Sequence, residues 1–389
     1  METNSLIDDS QHGFRRGRSC ETNLLALMEY HAQRAEEGNN EDDYYFDLKA
    51  FFDGIPHQRC LAAFNTHGVP QEGKIHKWIT AWLGTGGELL EQGARGRSQE
   101  KEQGATAQNL GGGAGSKDSE DTAKERSNEL GEGNRKKEPQ VVRRRQRVVL
   151  NGKASKWHQV TASIIQGSVL GPTLAKVFSN TSHLGRKIQQ EDTPFVSKFA
   201  DDEKRARIVN EEEQSLRMQQ DINQMVSWTQ KMGVQLNQDK VHLLHLGRTN
   251  LKRPYTLGEG GPPVKVVDQE KDLGVLISSD LKPDKMVASQ VQKAHLKLSQ
   301  FNNTFSYRGK TWLKLYQTYV KPSLIYASEA WRPTTQELIE KLEGVQKRAM
   351  RMAGGMGDKT YRDACREAGM NLIREELDVS DMTRVYRIM

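Results

Sequence analysis

Two adjacent acids, Asp201 and Asp202, close the apolar run FVSKFA. An unpaired carboxylate is expensive to bury, so a pair of them at the end of a core strand needs a reason. Divalent metal supplies one. Mg²⁺ takes a few carboxylates together with the oxygens of a bound phosphate. Two such ions, about 3.5–4 Å apart, activate an attacking oxygen and stabilise a leaving one. Such a site needs a third acid from another strand, and Asp47 ends the aromatic run YYF in the same manner. Two strands delivering acids at their ends would bring them together if paired side by side. The competing reading is that ADDEKR is a solvated turn.

The elements that must hold these acids are legible as a mixed pattern. Leu24, Leu27, Met28 and Ala32 recur at helical spacing in CETNLLALMEYHAQRA. YYF is a short strand, and Pro56 breaks the chain after it. CLAAFNTHGV and KIHKWITAWL are further helical pieces. VVLNGKASKWHQV reads as a hairpin around Asn151-Gly152. Pro172 opens a helix in GPTLAKVFSN. A long amphipathic helix carries Leu216, Met218, Ile222, Met225 and Trp228, with Gly233 beyond its end. VQLNQDKVHLLHLG and DLGVLISS are strands. Beyond Pro283 the chain is helical, and Thr334 with Glu337 forms a capping box before Leu338, Leu342, Val345 and Ala349.

Composition narrows the class. Hydrophobic residues make up 35% of 389, low for one compact globule, so part of the chain is expected to lie outside any core. That part is residues 84–140, which hold no aromatic residue and no Val, Ile or Met. It cannot bury enough apolar area to offset ordering and is read as disordered, with the basic run RRRQR at 143–147 at its end. The net charge of +6 suits a nucleic-acid partner. Three scattered cysteines suggest a reducing compartment without a disulfide framework. No run is apolar enough to cross a bilayer, and the polar N-terminus lacks signal-peptide form. A soluble intracellular protein of the nucleus or cytoplasm, without a membrane partner, is expected.

Several blocks together carry a resemblance. FADD is similar to the catalytic turn of reverse transcriptases. FDLKAFFDGIPH resembles the first acid block of non-LTR (LINE-type) retrotransposon polymerases, D-F-S-K-A-F-D-x-V-P-H, with Asp47 and Asp53 at its Asp-to-Asp spacing. QHGFRRGRSCETNLL resembles the block before it, and IIQGSVLGPTL, LNQDKVHLLHLGR, KDLGVLISSDLKP and YVKPSLIYASEAW resemble later blocks in the family's order. The likeness spans most of residues 11–389 and is closest to the jockey and chicken-repeat groups. The low-complexity insert splits the family's W-L-x-x-R-x-Q-R-V-V-L-N-G block.

The resemblance implies an α+β polymerase right hand: an antiparallel palm sheet backed by helices, partial fingers and a helical thumb. Residues 1–83 would hold partial fingers and the first part of the palm. Residues 84–147 would be the disordered insert, 148–282 the remaining palm and 283–389 the thumb. It implies that Asp47, Asp201 and Asp202 bind two Mg²⁺ ions, with Mn²⁺ as the alternative. Lys240 would donate a proton to departing pyrophosphate. Phe52 would block a ribose 2′-hydroxyl, against the plain alternative of core packing. Gln166 and Gly167 would touch the incoming sugar and template, and Arg15 and Arg18 would track a template phosphate backbone. Thumb residues such as Lys293, Lys297, Lys341, Lys347, Arg348 and Arg351 would grip the duplex. The partners implied are an RNA template, a DNA primer and dNTPs.

The chain departs from the family pattern as well. It starts where the family is mid-domain, without the upstream finger block, which suggests an N-terminally truncated copy. Ile165 replaces a proline, Lys176 enters an otherwise apolar helix, and Glu203 adds negative charge beside the acids. The expected function is RNA-directed DNA synthesis by two-metal nucleotidyl transfer. The alternative is an inactive remnant that binds RNA through its basic surfaces.

Overall fold

The structure is a computed structural model that describes residues 7–85, 144–183, 193–306, 308–354 and 357–388. The insert expected to be disordered therefore lies almost entirely outside the described residues. Two compact units are present, Pro56–Ile165 and the remainder, Met1–Ile55 with Gln166–Met389.

In the larger unit, the first elements are α1 (Cys20–Glu36), β1 (Glu41–Phe46) and the single turn α2 (Phe51–Gly54). Ser19 starts α1 through a reciprocal capping box, its Oγ accepting from Thr22 N while Thr22 Oγ1 accepts from Ser19 N. The smaller unit follows. It holds α3 (His57–Thr66), α4 (Lys74–Thr85) and two short ribbons, β2 (Arg145–Gln146) with β5 (His158–Gln159) and β3 (Val149–Leu150) with β4 (Lys153–Ala154). Asn151 and Gly152 both take positive φ, 50° and 76°, between β3 and β4, the conformation that an Asn-Gly hairpin turn demands. Arg147 lies over the Trp157 ring at 4.6 Å.

The chain returns to the larger unit with α5 (Gly171–Asn180), β6 (Phe195–Phe199), β7 (Asp202–Ile208) and α6 (Glu212–Met232). Gly233 ends α6 in the left-handed conformation, as its sequence suggests. Then come β8 (His242–Leu246), β9 (Lys265–Val266), β10 (Gln269–Asp272) and β11 (Val275–Ser278). The helical end comprises α7 (Asp284–Thr304), α8 (Lys310–Leu315), α9 (Lys321–Leu324), α10 (Gln336–Met352), α11 (Tyr361–Glu367) and α12 (Ile373–Ile388).

The main sheet runs β6-β7-β1-β8-β9, antiparallel except for the β8–β9 edge, and β10–β11 is a separate hairpin. The fold is thus α+β with a central, mainly antiparallel sheet backed by helices. Alternate residues of a strand face opposite sides. On one side, α6 covers β7 through Arg207–Asp221 at 2.7 Å and Arg205–Asp221 O at 3.2 Å. On the other, Tyr45, Leu244 and Leu246 share one buried cluster with α1 and with Trp312, Leu342 and Val345 of the helical end. Residues 283–389 therefore belong to the same compact unit as the sheet.

Three details differ from the sequence reading. Asp47's strand pairs with β7, the return strand after the acid turn, and not with the FVSKF strand before it. Glu203 does not load the acid cluster with a free charge. It is 6% exposed and ion-paired with Lys198 at 3.3 Å and Arg205 at 2.6 Å. The capping box of α10 does not form, because Thr335 takes the N-cap position and its side chain makes no capping bond. That one-residue shift places Glu337 in the first turn, where it still complements the helix dipole.

Candidate active site

Strand register brings Asp47 and Asp202 to one edge, although the oxygens of Asp47, Asp201 and Asp202 do not all lie within 4.8 Å of one another. Antiparallel pairing of β1 with β7 sets Phe46 opposite Glu203, so the next residue of each strand end, Asp47 and Asp202, lies at the same edge. Phe199 pairs with Asp202 across the β6–β7 hairpin, leaving Ala200 and Asp201 as its two-residue turn. Ala200 has φ 59°, a left-handed conformation that costs a residue with a Cβ ~1–2 kcal/mol.

A second segment fastens this turn. Gln11 is 1% exposed and makes four side-chain bonds. Its Oε1 accepts from Ala200 N at 3.0 Å and Gly13 N at 2.8 Å, and its Nε2 donates to Ala200 O at 3.1 Å and Ser179 Oγ at 3.4 Å. His12 N donates to Lys198 O and Lys198 N to Ser10 O, both at 2.8 Å, so residues 10–12 run beside β6. Position 13 must be glycine for the approach, since a Cβ there would sit 2.3 Å from Ala200 N.

Asp47 is held from the LNQDK segment. Asn237 N donates to Asp47 O at 2.9 Å, and Asn237 Nδ2 to Asp47 Oδ2 at 2.7 Å. Lys240 Nζ lies 3.4 Å from Asp47 Oδ1 and remains 65% exposed. Asp47, Asp202 and Lys240 line a cleft of about 560 Å³, with Phe199, Tyr45 and Asp272 among its walls. Asp272 arrives from the β10–β11 hairpin and is ion-paired with Lys204. Its neighbour on that hairpin, Glu270, pairs with His242 at 2.5 Å.

Burial raises the carboxyl pKa of Asp201, and Asp47 raises it further against the pull of Lys240. Asp202 keeps an exposed edge, yet surrounding protein displaces enough water to push it up to about 6, helped by Asp201, Asp47 and Asp272. The cluster is short of positive charge, which is the condition a divalent cation relieves. The Lys240 ammonium and the His242 ring share the cleft with these carboxylates.

The other expected residues are spread more widely. Phe52 is half-buried and meets Phe14 edge-on at 6.5 Å, while Phe51, 3% exposed, fills the core against Phe178. Gln166 and Gly167 lie on an exposed loop before α5, with Gly167 at φ 80°. Arg15 binds Asp8 O at 2.8 Å and Asp9 at 3.4 Å, and Arg18 lies 3.5 Å from Asp9 and 3.2 Å from His12 Nε2. Lys176 donates to Phe14 O at 2.7 Å. Of the helical-end cations, Lys341 pairs with Glu337 at 2.7 Å and Lys297 donates to Tyr319 O at 3.1 Å. Sequence reasoning quoted the blocks that hold Gln11 and Asn237 without giving either a role. Asp272 lies in the KDLGVLISSDLKP block without an assigned role, and Glu270 lies outside the quoted blocks.

No protein-family model matches the chain, and no curated protein matches it. Among solved structures, telomerase from Candida albicans in complex with a TWJ fragment of telomeric RNA is similar at 9% identity. It has a TM-score of 0.42 and covers 95% of this chain and 57% of that one. Apo telomerase from Candida tropicalis is similar at 12% identity and a TM-score of 0.38, over 89% of this chain and 47% of that one. The chain spans about half the length of these structures. Likeness at this level assigns no function. Among the described residues, no helix is long and apolar enough to cross a membrane.

Proposed function

We propose that the chain is an RNA-directed DNA polymerase of the non-LTR retrotransposon type, joining a dNTP to a primer 3′-hydroxyl. The observation that supports this most is the strand register that places Asp47 and Asp202 at one sheet edge with Asp201 in the adjoining turn. Asp47, Asp201 and Asp202 would hold two Mg²⁺ ions, with Mn²⁺ as a substitute, and these supply charge stabilisation for in-line displacement at phosphorus. Asn237 orients the Asp47 carboxylate. Lys240, largely exposed and 3.4 Å from Asp47, would release Asp47 and deliver a proton to departing pyrophosphate. Phe52 is assigned to exclude a 2′-hydroxyl, and Gln166 with Gly167 to meet sugar and template. Arg15 and Arg18 reach template phosphate by exchanging Asp9 for it.

The test is extension of a labelled DNA primer on an RNA template with dNTPs and Mg²⁺. Metal-dependent extension that EDTA abolishes supports the assignment. RNA binding that survives EDTA, with no extension at any Mg²⁺ or Mn²⁺ concentration, favours an inactive RNA-binding remnant.

A further inference from the structure

A second cluster of ionisable groups lies between α1 and β1, the strand that leads into Asp47. Glu41 and Asp43 are two residues apart on β1 and so share a face, which α1 covers with His31. The three are 3%, 2% and 1% exposed, in that order. His31 Nδ1 lies 2.6 Å from Glu41 Oε2, and His31 Nε2 lies 3.1 Å from Asp43 Oδ2. One donor atom from each residue falls within 4.8 Å of the other two. The cluster is not fully satisfied as it stands: Asp43 Oδ1 is buried without a hydrogen-bond partner, while Asp43 Oδ2 meets His31 Nε2 at 3.1 Å and accepts from the Tyr45 hydroxyl at 3.5 Å. Its surroundings on the sheet are apolar, with Leu246 and Ile208 flanking Glu41 and Leu244 and Ala206 flanking Asp43. Arg34, the cation one turn along α1, is already paired with Glu37 at 2.6 Å.

Charge decides what completes such a group. Two carboxylates carry two negative charges. A proton on the ring removes only one of them, whereas a divalent cation with neutral imidazole removes both. One imidazole and two carboxylates form a donor set suited to zinc or another divalent transition ion, while Mg²⁺ prefers oxygen and keeps several waters. We propose that His31, Glu41 and Asp43 form a structural site for one divalent transition-metal ion of the zinc class, separate from the acids at the cleft. The ion fastens α1 to β1 ahead of Asp47.

The test uses the full chain and reads no polymerase activity, so it stands apart from the assignment of the cleft. Chain refolded with zinc chloride and dialysed is expected to retain about one zinc per molecule, to melt at a higher temperature than chelator-treated chain, and to gain nothing comparable from Mg²⁺. His31→Gln and Asp43→Asn should each lose the retained zinc and the shift. Because either variant can fail to fold, Co²⁺ is also loaded into the unaltered chain. Paramagnetic broadening of the Leu244 and Leu246 methyl signals places the ion here. No retained zinc, equal retention by folded variants, or retained cobalt without that broadening overturns the site and leaves a protonated histidine between two acids.

Discussion

Gln11 holds Ala200 by both its backbone N–H and its C=O, so one side-chain amide closes over the residue that precedes the acid pair. The bond pattern is that of a short strand made by a side chain. It stabilises a turn whose left-handed alanine is otherwise unfavourable. Truncating Gln11 to alanine leaves buried backbone groups unpaired, at about 1–3 kcal/mol. The thermal midpoint of Gln11→Ala should fall, and primer extension should fall further than in a surface control of equal stability. Unchanged stability would show that the amide is dispensable to the turn.

Asp201→Asn should abolish extension while leaving the fold intact, since the asparagine still fits the turn but loses a charge at the proposed metals. Circular dichroism checks the fold and single-nucleotide incorporation checks the chemistry. A rate within tenfold of the unaltered chain, about 1.4 kcal/mol of barrier, would remove Asp201 from the catalytic set.

Asp202 links stability to pH. Its carboxyl is raised from 3.8 to about 6 in the folded chain. A raised value means that the folded state binds the proton more tightly. The favourable contribution is complete below about pH 3.8 and is lost as pH rises through about 6. At full strength this displacement is ~3 kcal/mol, and screening at the exposed edge reduces it to about 1 kcal/mol. Asp202→Asn should therefore stabilise the metal-free chain above about pH 7, and the gain should vanish near pH 4. Urea titrations at the two pH values measure it. A gain that persists in acid would assign the effect to something other than charge.

The adjacent phenylalanines separate structure from selection. Phe51→Ala should cost ~3–5 kcal/mol, as for other large truncations in a core. Phe52→Val should melt close to the unaltered chain and accept ribonucleotides more readily. Incorporation of each sugar beside a melting curve distinguishes them. A large stability loss at Phe52 with unchanged sugar choice would make it a packing residue.

The helices were legible because their apolar spacing is a local signal, and Pro172 and Gly233 sit where the chain turns into or out of a helix. The central strands were harder. EDDYYF and DEKRARI look solvated, yet Glu41, Asp42, Asp43, Lys204, Arg205 and Arg207 are all buried. Some of their charges are matched nearby, Arg205 by Glu203 and Glu41 by His31, and others by residues far away in sequence. Asp42 is held by His245 and Asn250 and by the Tyr255 hydroxyl, and Arg207 by Asp221. No window around β1 contains the partners of Asp42. For the same reason the acids of the cleft could be picked out by type and position, while Asp272 could not. It reaches the cleft through the β10–β11 hairpin.

The acidic start of β1 has a consequence for how the molecule is made. Asp42's partners lie more than 200 positions downstream. At 5–20 residues per second, a ribosome needs roughly 10–40 s to deliver them. For most of that interval, until β7 emerges, β1 is a strand without sheet neighbours, the state in which strand edges stick to other chains. Three consecutive carboxylates repel another copy of the same strand while the chain is incomplete. Charges that are costly to bury at the end of folding thus protect the nascent chain from aggregation before its own sheet exists.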